Sequence, residues 1–311
     1  MRRTVVLAAV LVTAGLVVAP SASADPTPEP LCTWENLPTP PGVTGTRFVV
    51  GSGQGTYAGD AVGSTGRGAV LWHDGAVRWL GTPGGDVRVH DVNRSGVVVA
   101  QAGDLPVVHR ADGWHALATP AGWAANRTAL RVGVAGDVVG SDGARWLRWP
   151  AEDPGRFEEV APPLPDSDLT DYADDGTLVG VGHPDFLHSK GFVRLPGGGW
   201  DALPTGTFSG RVGTKTLRGR LLLGYVGLVE VAWDPAGGYL AWGTIGVEIE
   251  DHNADETWVG VDRETGEVVV LPYGYGGVRS LDRTDVYNLA IDDDGTVLGT
   301  DARSGGPLRC R

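Results

Sequence analysis

Lysine is nearly missing from this chain: Lys190 and Lys215 are the only two among 311 residues. The other basic residues are arginines scattered among acids, and the formal net charge is −13. Nucleic-acid binding relies on neutralising phosphates with Lys and Arg, so this balance argues against nucleic acid as a partner. Long apolar runs are scarce as well. After residue 24 no segment approaches the ~20 apolar residues that a helical membrane span requires. Cysteine is confined to Cys32 and Cys310, with none of the CxxC spacing of redox or zinc sites. The chain carries no GxSxG, HExxH or phosphate-binding loop, and no EF-hand spacing for calcium. These absences remove the chemistries that sequence shows best, and the expectation is a protein without metal or cofactor.

What is abundant is glycine, 49 residues, and proline, 21. They punctuate short apolar runs at regular intervals, which is the mark of many tight turns between strands. The first 24 residues differ: Arg2 and Arg3 precede an apolar stretch that ends at Pro20, and Ala22-Ser23-Ala24 supplies a small-x-small cleavage pattern. This reads as a bacterial secretory signal peptide over 1–24. Residues 25–31 form a Pro-rich, disordered leader, and 32–311 a single domain.

A phrase recurs along that domain. Its clearest copy, 87–122, gives four strands at 87–93, 97–102, 106–110 and 114–119, with turns at Arg94-Ser95-Gly96 and Ala111-Asp112-Gly113. Connections this short force antiparallel neighbours. The closing tail, a large residue, a leucine and a Pro/Gly turn, recurs at 33–42, 77–85, 114–122 and 200–207, with weaker echoes at 157–165, 239–246 and 268–276. Self-similarity at this period means a repeat architecture. The expectation is an all-β, seven-bladed β-propeller of four-stranded antiparallel blades. Six blades is the alternative, because blade five (209–243) is ragged and blade six (247–272) lacks a strand. In the inner strand, polar Arg88 and His90 alternate with Val87 and Val89, as suits one face toward a central channel.

The chain ends predict closure. The last copy stops one strand short at 306–311, while residues 32–40 are a fourth-strand tail with nothing before them. Residues 32–40 are therefore expected to supply the outer strand of the last blade. That brings Cys32 beside Cys310, and an even pair in an exported chain favours a disulfide.

The segments 69–80, 133–149, 171–182 and 290–301, such as DYADDGTLVGVG and AIDDDGTVLGTD, resemble the HAF-type extracellular repeat. The resemblance covers most of 45–205 and 285–301. It implies an exported β-propeller-like repeat protein and carries over no catalytic residue, because the repeat defines none.

Function is sought where the repeat is broken. HPDFLHSKGF (183–192) enlarges the connection between the second and third strands of blade four and contributes Phe186, His188 and Lys190. The blade-to-blade linkers on the same rim offer Trp123 and Arg127, Asp166 and Asp168, and Tyr273, Tyr275 and Arg279. Aromatic, arginine and acidic side chains on one rim suit a binding surface. Trp72, Trp79, Trp114, Trp146, Trp149, Trp200 and Trp233 recur at repeat positions, as expected of packing between blades. The aspartate-rich turns at 171–175 and 292–294 read as turn chemistry rather than calcium ligands. His183, His188, His252, Glu248 and Asp251 are the residues available for acid–base work, but no pair of carboxylates is brought together by sequence. The favoured expectation is a monomeric, non-catalytic binding module for an extracellular protein or glycan. The alternatives are a carbohydrate-active hydrolase or lyase acting at the channel mouth, and a structural envelope protein.

Overall fold

The computed structural model describes residues 32–124, 129–185, 188–205, 211–218, 221–227, 229–235, 238–240, 246–272 and 277–311. The signal-peptide and leader expectations (1–31) lie outside the described residues, as do Arg127, Phe186, Tyr273 and Tyr275.

Seven antiparallel four-stranded sheets make up the described residues, and no helix occurs among them. The inner strands of blades one to seven are Thr44–Gly51, Val87–Val92, Ala129–Val132, Ser167–Tyr172, Val212–Arg218, Val247–His252 and Val286–Ile291. Each packs against the next, and the seventh packs against the first, so the ring is closed. The alternation read in blade two holds: Val87 and Val89 are buried while Arg88 is exposed. Blade seven is completed by Trp34–Asn36, which runs antiparallel to Pro307–Cys310 with Trp34 opposite Cys310. The Cys32–Cys310 disulfide fixes that junction.

Six tryptophans explain why the tail recurs. The indole of Trp34 donates to Leu281 O at 3.1 Å, and those of Trp72, Trp114, Trp149, Trp200 and Trp233 donate to Pro38, Leu80, Ala118, Ala161 and Pro204 O, each at 2.7 Å. Every acceptor lies in the tail of the preceding blade. The turn thus exposes a carbonyl, and the next blade brings a large apolar ring whose one polar atom is satisfied by it.

Bulged inner strands form a second set of links. The register shifts at Asp91, Asp171 and Asp251, and a bulge re-aims a side chain out of the strand's alternation. Each carboxylate accepts a backbone N–H from the following blade, of Val132 (2.9 Å), Leu217 (2.6 Å) and Ile291 (3.1 Å) respectively.

Two readings of the sequence need correction. Blade six is complete: Val268–Leu271 is its third strand and the two-residue Arg279–Ser280 its fourth, with the tail leucine at Leu281. The 268–276 echo combined a third strand with the proline that follows it. In blade four, 183–185 and 188–192 belong to strands rather than to a loop: Leu178–Asp185 pairs with His188–Arg194 out to Asp185 opposite His188.

Candidate functional site

The channel has two differently built ends. At the end formed by the carboxy-terminal halves of the inner strands lies a cavity of about 620 Å³, lined by residues of all seven blades, with charged side chains from blades two to seven. Most of its carboxylates are engaged, Asp91, Asp171, Asp175, Asp251 and Asp293 each accepting a backbone N–H. Asp292 Oδ2 accepts Gly55 N (2.8 Å) and Tyr57 OH (2.5 Å). Arg218 of blade five crosses this end, with Nε 3.4 Å from Asp251 Oδ1 in blade six and Nη2 donating to Gly51 O (3.1 Å) in blade one. Lys215 bonds Glu230 and the carbonyl of Ile249. His252 is fully buried, its Nε2 3.0 Å from Leu221 O. The acid–base candidates Asp251 and His252 are therefore structural, and Glu248 lies 3.9 Å from Arg263. In the 171–175 and 292–294 turns, Asp175 caps the backbone N–H of Thr177 and Asp294 that of Thr296.

Two neighbours at this end titrate in opposite senses. Burial, helped by Arg131 and Arg88, pushes His90 down to about 4. Burial pushes Asp91 up to about 6, against the pull of Arg131 and its backbone partners. A histidine with a depressed folded pKa contributes stability that is present above about pH 6.5 and lost as pH falls toward 4. An aspartate with a raised pKa contributes stability present at low pH and lost as pH rises through 6. The variant His90→Gln is expected to lose less stability than the wild type on acidification, by up to about 3 kcal/mol between pH 7 and 4. Urea unfolding of both at three pH values checks this, and parallel curves would refute it.

At the opposite end, on the rim anticipated from sequence, a groove of about 630 Å³ opens between blades four and five. Blade four supplies Asp166 and Asp168 at the start of its inner strand, and His183, Asp185 and His188 from the extended hairpin. Blade five supplies Arg211, Gly213 and Tyr225. His183 Nε2 lies 3.1 Å from Asp168 Oδ2, and His188 Nδ1 lies 2.7 Å from Asp185 Oδ1. The floor is closed by a 2.5 Å bond between the hydroxyls of Thr170 and Thr214. Ser189 Oγ is buried, donating to Val212 O (2.7 Å) and accepting from Val212 N (3.0 Å). It ties the two blades together and is not free to act as a nucleophile beside His188.

The groove gathers His188, His183, Asp166 and Asp168 from the sequence candidates. It does not gather Lys190, which is exposed on the hairpin opposite Gly182, nor Arg279, exposed on the outer strand of blade six. Trp123 packs edge-on against Trp149, centroids 6.0 Å apart, under Arg145. It belongs to the wall of blade three. Tyr225, Gly213, Arg211 and Asp185 escaped sequence reading. Tyr225 and Gly213 sit at ordinary strand positions of the least regular blade, and nothing in their spacing marks them.

No family model matches the chain and no curated protein matches it. Solved structures do. Virginiamycin B lyase from Staphylococcus aureus aligns with a TM-score of 0.62 over 90% of this chain and 98% of that one, at 15% identity. YCF48 bound to a D1 peptide aligns at 0.58, covering 90% and 94%, at 13% identity. The β-propeller domain of the trilobed protease from Pyrococcus furiosus, described as having an open velcro topology, aligns at 0.56, covering 85% and 93%, at 9% identity. A lyase, a peptide-bound protein and a protease domain share this architecture, and at these identities the likeness establishes the fold alone.

Proposed function

We propose that the protein is an exported, non-catalytic recognition module that takes an extracellular ligand in the groove between blades four and five. The observation that carries this is the division of labour between the channel ends. Most carboxylates of one end accept backbone N–H groups of the ring as structural links. The other end presents exposed Asp166, Asp168, Asp185 and His188 around an open groove, where Asp168 and Asp185 pair with histidines of the same blade. Export is supported by the signal-like residues 1–24 and by the Cys32–Cys310 disulfide, since such bonds persist in oxidising compartments.

A second reading draws on the two His–Asp pairs, which would orient imidazoles for general acid–base work in an eliminating, lyase-type enzyme. One experiment separates the two. The intact protein is immobilised and offered the host's spent medium and its cell-wall polysaccharide, beside the variant Asp168→Ala/His188→Ala. Recovery of one recurrent, unmodified ligand by the wild type, and its loss on the variant, is expected. Release of cleaved material would favour the lyase. Equal retention by the variant would refute the groove as the site.

A further inference from the structure

The groove contains one aromatic ring mounted as a platform. Gly213 and Tyr225 are directly paired across the first two strands of blade five. A Cβ built on Gly213 would come 2.3 Å from Cε1 and Cζ of Tyr225 and 2.6 Å from its hydroxyl oxygen. The tyrosine therefore lies flat on the glycine, which is needed here for the ring and not for an unusual backbone. The same device seats buried tryptophans elsewhere: Gly140 lies under Trp149 and Gly180 under Trp146, and both rings are shut into the core. Tyr225 is instead 37% exposed, and it lines the groove. A large ring held flat against glycine on one side, with its other side open, is arranged to receive another flat apolar face.

The rim around the ring is rich in acceptors. Asp166, Asp168 and Asp185 stand there against one fixed cation, Arg211, with His183 paired to Asp168 and His188 to Asp185. This suits a ligand that carries many hydrogen-bond donors and no negative charge. A hexopyranose combines an apolar C–H face with a rim of hydroxyl donors. Polyanions would meet repulsion at the three carboxylates.

We infer that the groove binds an uncharged hexopyranose unit of an extracellular glycan, stacked on Tyr225 with its hydroxyls donating to the aspartates. This rests on the recognition reading above and names its ligand class.

The test is titration calorimetry of the full secreted protein with soluble tetrasaccharides of glucose, N-acetylglucosamine and galacturonic acid. At least one neutral tetramer is expected to bind, with the uronate at least tenfold weaker. Tyr225→Ala is expected to weaken the neutral tetramer about tenfold while Tyr225→Phe keeps it. Unchanged thermal unfolding of both variants confirms that they fold. Equal binding by Tyr225→Ala, or preference for the uronate, would overturn the inference. If no tetramer binds but the pull-down still yields a groove-dependent protein ligand, the glycan inference fails and the recognition reading stands. If neither assay yields a ligand, both fail.

Discussion

Reduction of the Cys32–Cys310 disulfide is expected to lower the unfolding free energy by up to about 5.6 kcal/mol, the value the chain-entropy model gives for a loop of this length. The two cysteines are separated by 278 positions, so the bond restrains almost the whole domain in its unfolded state. In the folded state the junction has other supports. Thr33 N donates to Arg311 O at 2.7 Å, Arg309 Nε pairs with Glu35 Oε1, and the Trp34 indole holds Leu281 O. Reduction should therefore leave near-ultraviolet circular dichroism unchanged while the guanidinium midpoint falls. Cys310 is 1% exposed and packs with Ile291, Val297 and Leu308, so serine would bury an unsatisfied hydroxyl. The paired substitution Cys32→Ala/Cys310→Ala is the cleaner comparison. An unchanged midpoint in both the reduced and the alanine protein would mean that the strand pairing alone holds the ring.

Closure was legible because it is a bookkeeping property of the chain. One end lacks a fourth strand, the other is a fourth strand without a blade, and each carries one cysteine. The blades were legible through their tails, because in six of them a tail carbonyl meets an indole of the next blade, and that demand fixes residue types at a regular spacing. Blade six was misread where its outer strand shrinks to Arg279–Ser280, too short to show alternation. The groove was half legible. Asp166, Asp168, His183 and His188 lie where the repeat is interrupted, so they stood out. Tyr225 on Gly213 obeys the strand pattern, and only the cross-strand register makes it a platform. The bulged aspartates were hidden for a related reason. A two-residue alternation assigns Asp91, Asp171 and Asp251 to the apolar face, and only the register shift turns them onto the neighbouring blade.

Replacing Arg218 with methionine is expected to cost about 3–5 kcal/mol at pH 7, the range for leaving a buried charge without its partner. Most of that cost should vanish by pH 4. Arg218 is the cation shared by the engaged end of the channel. Burial works against its charge, yet the carboxylates of Asp251, Asp171 and Asp292 outweigh that and raise its pKa above the ordinary arginine value. Its path across the channel is cleared by Gly53, where a Cβ would come 2.1 Å from Nη1. Burial already holds the Asp292 carboxyl above the usual range, and without the guanidinium that opposes this shift it would be harder still to ionise in the folded protein. Groups with raised folded pKa values contribute stability at low pH and lose it as pH rises through those values. The deficit of Arg218→Met should accordingly be small near pH 4 and grow toward neutrality, and adding Asp251→Asn should recover part of it at pH 7. Urea unfolding of the three proteins from pH 4 to 7 provides the check. A deficit that does not change with pH would assign Arg218 to packing, because a methionine of similar length removes the charge and the hydrogen bonds while keeping most of the apolar stem.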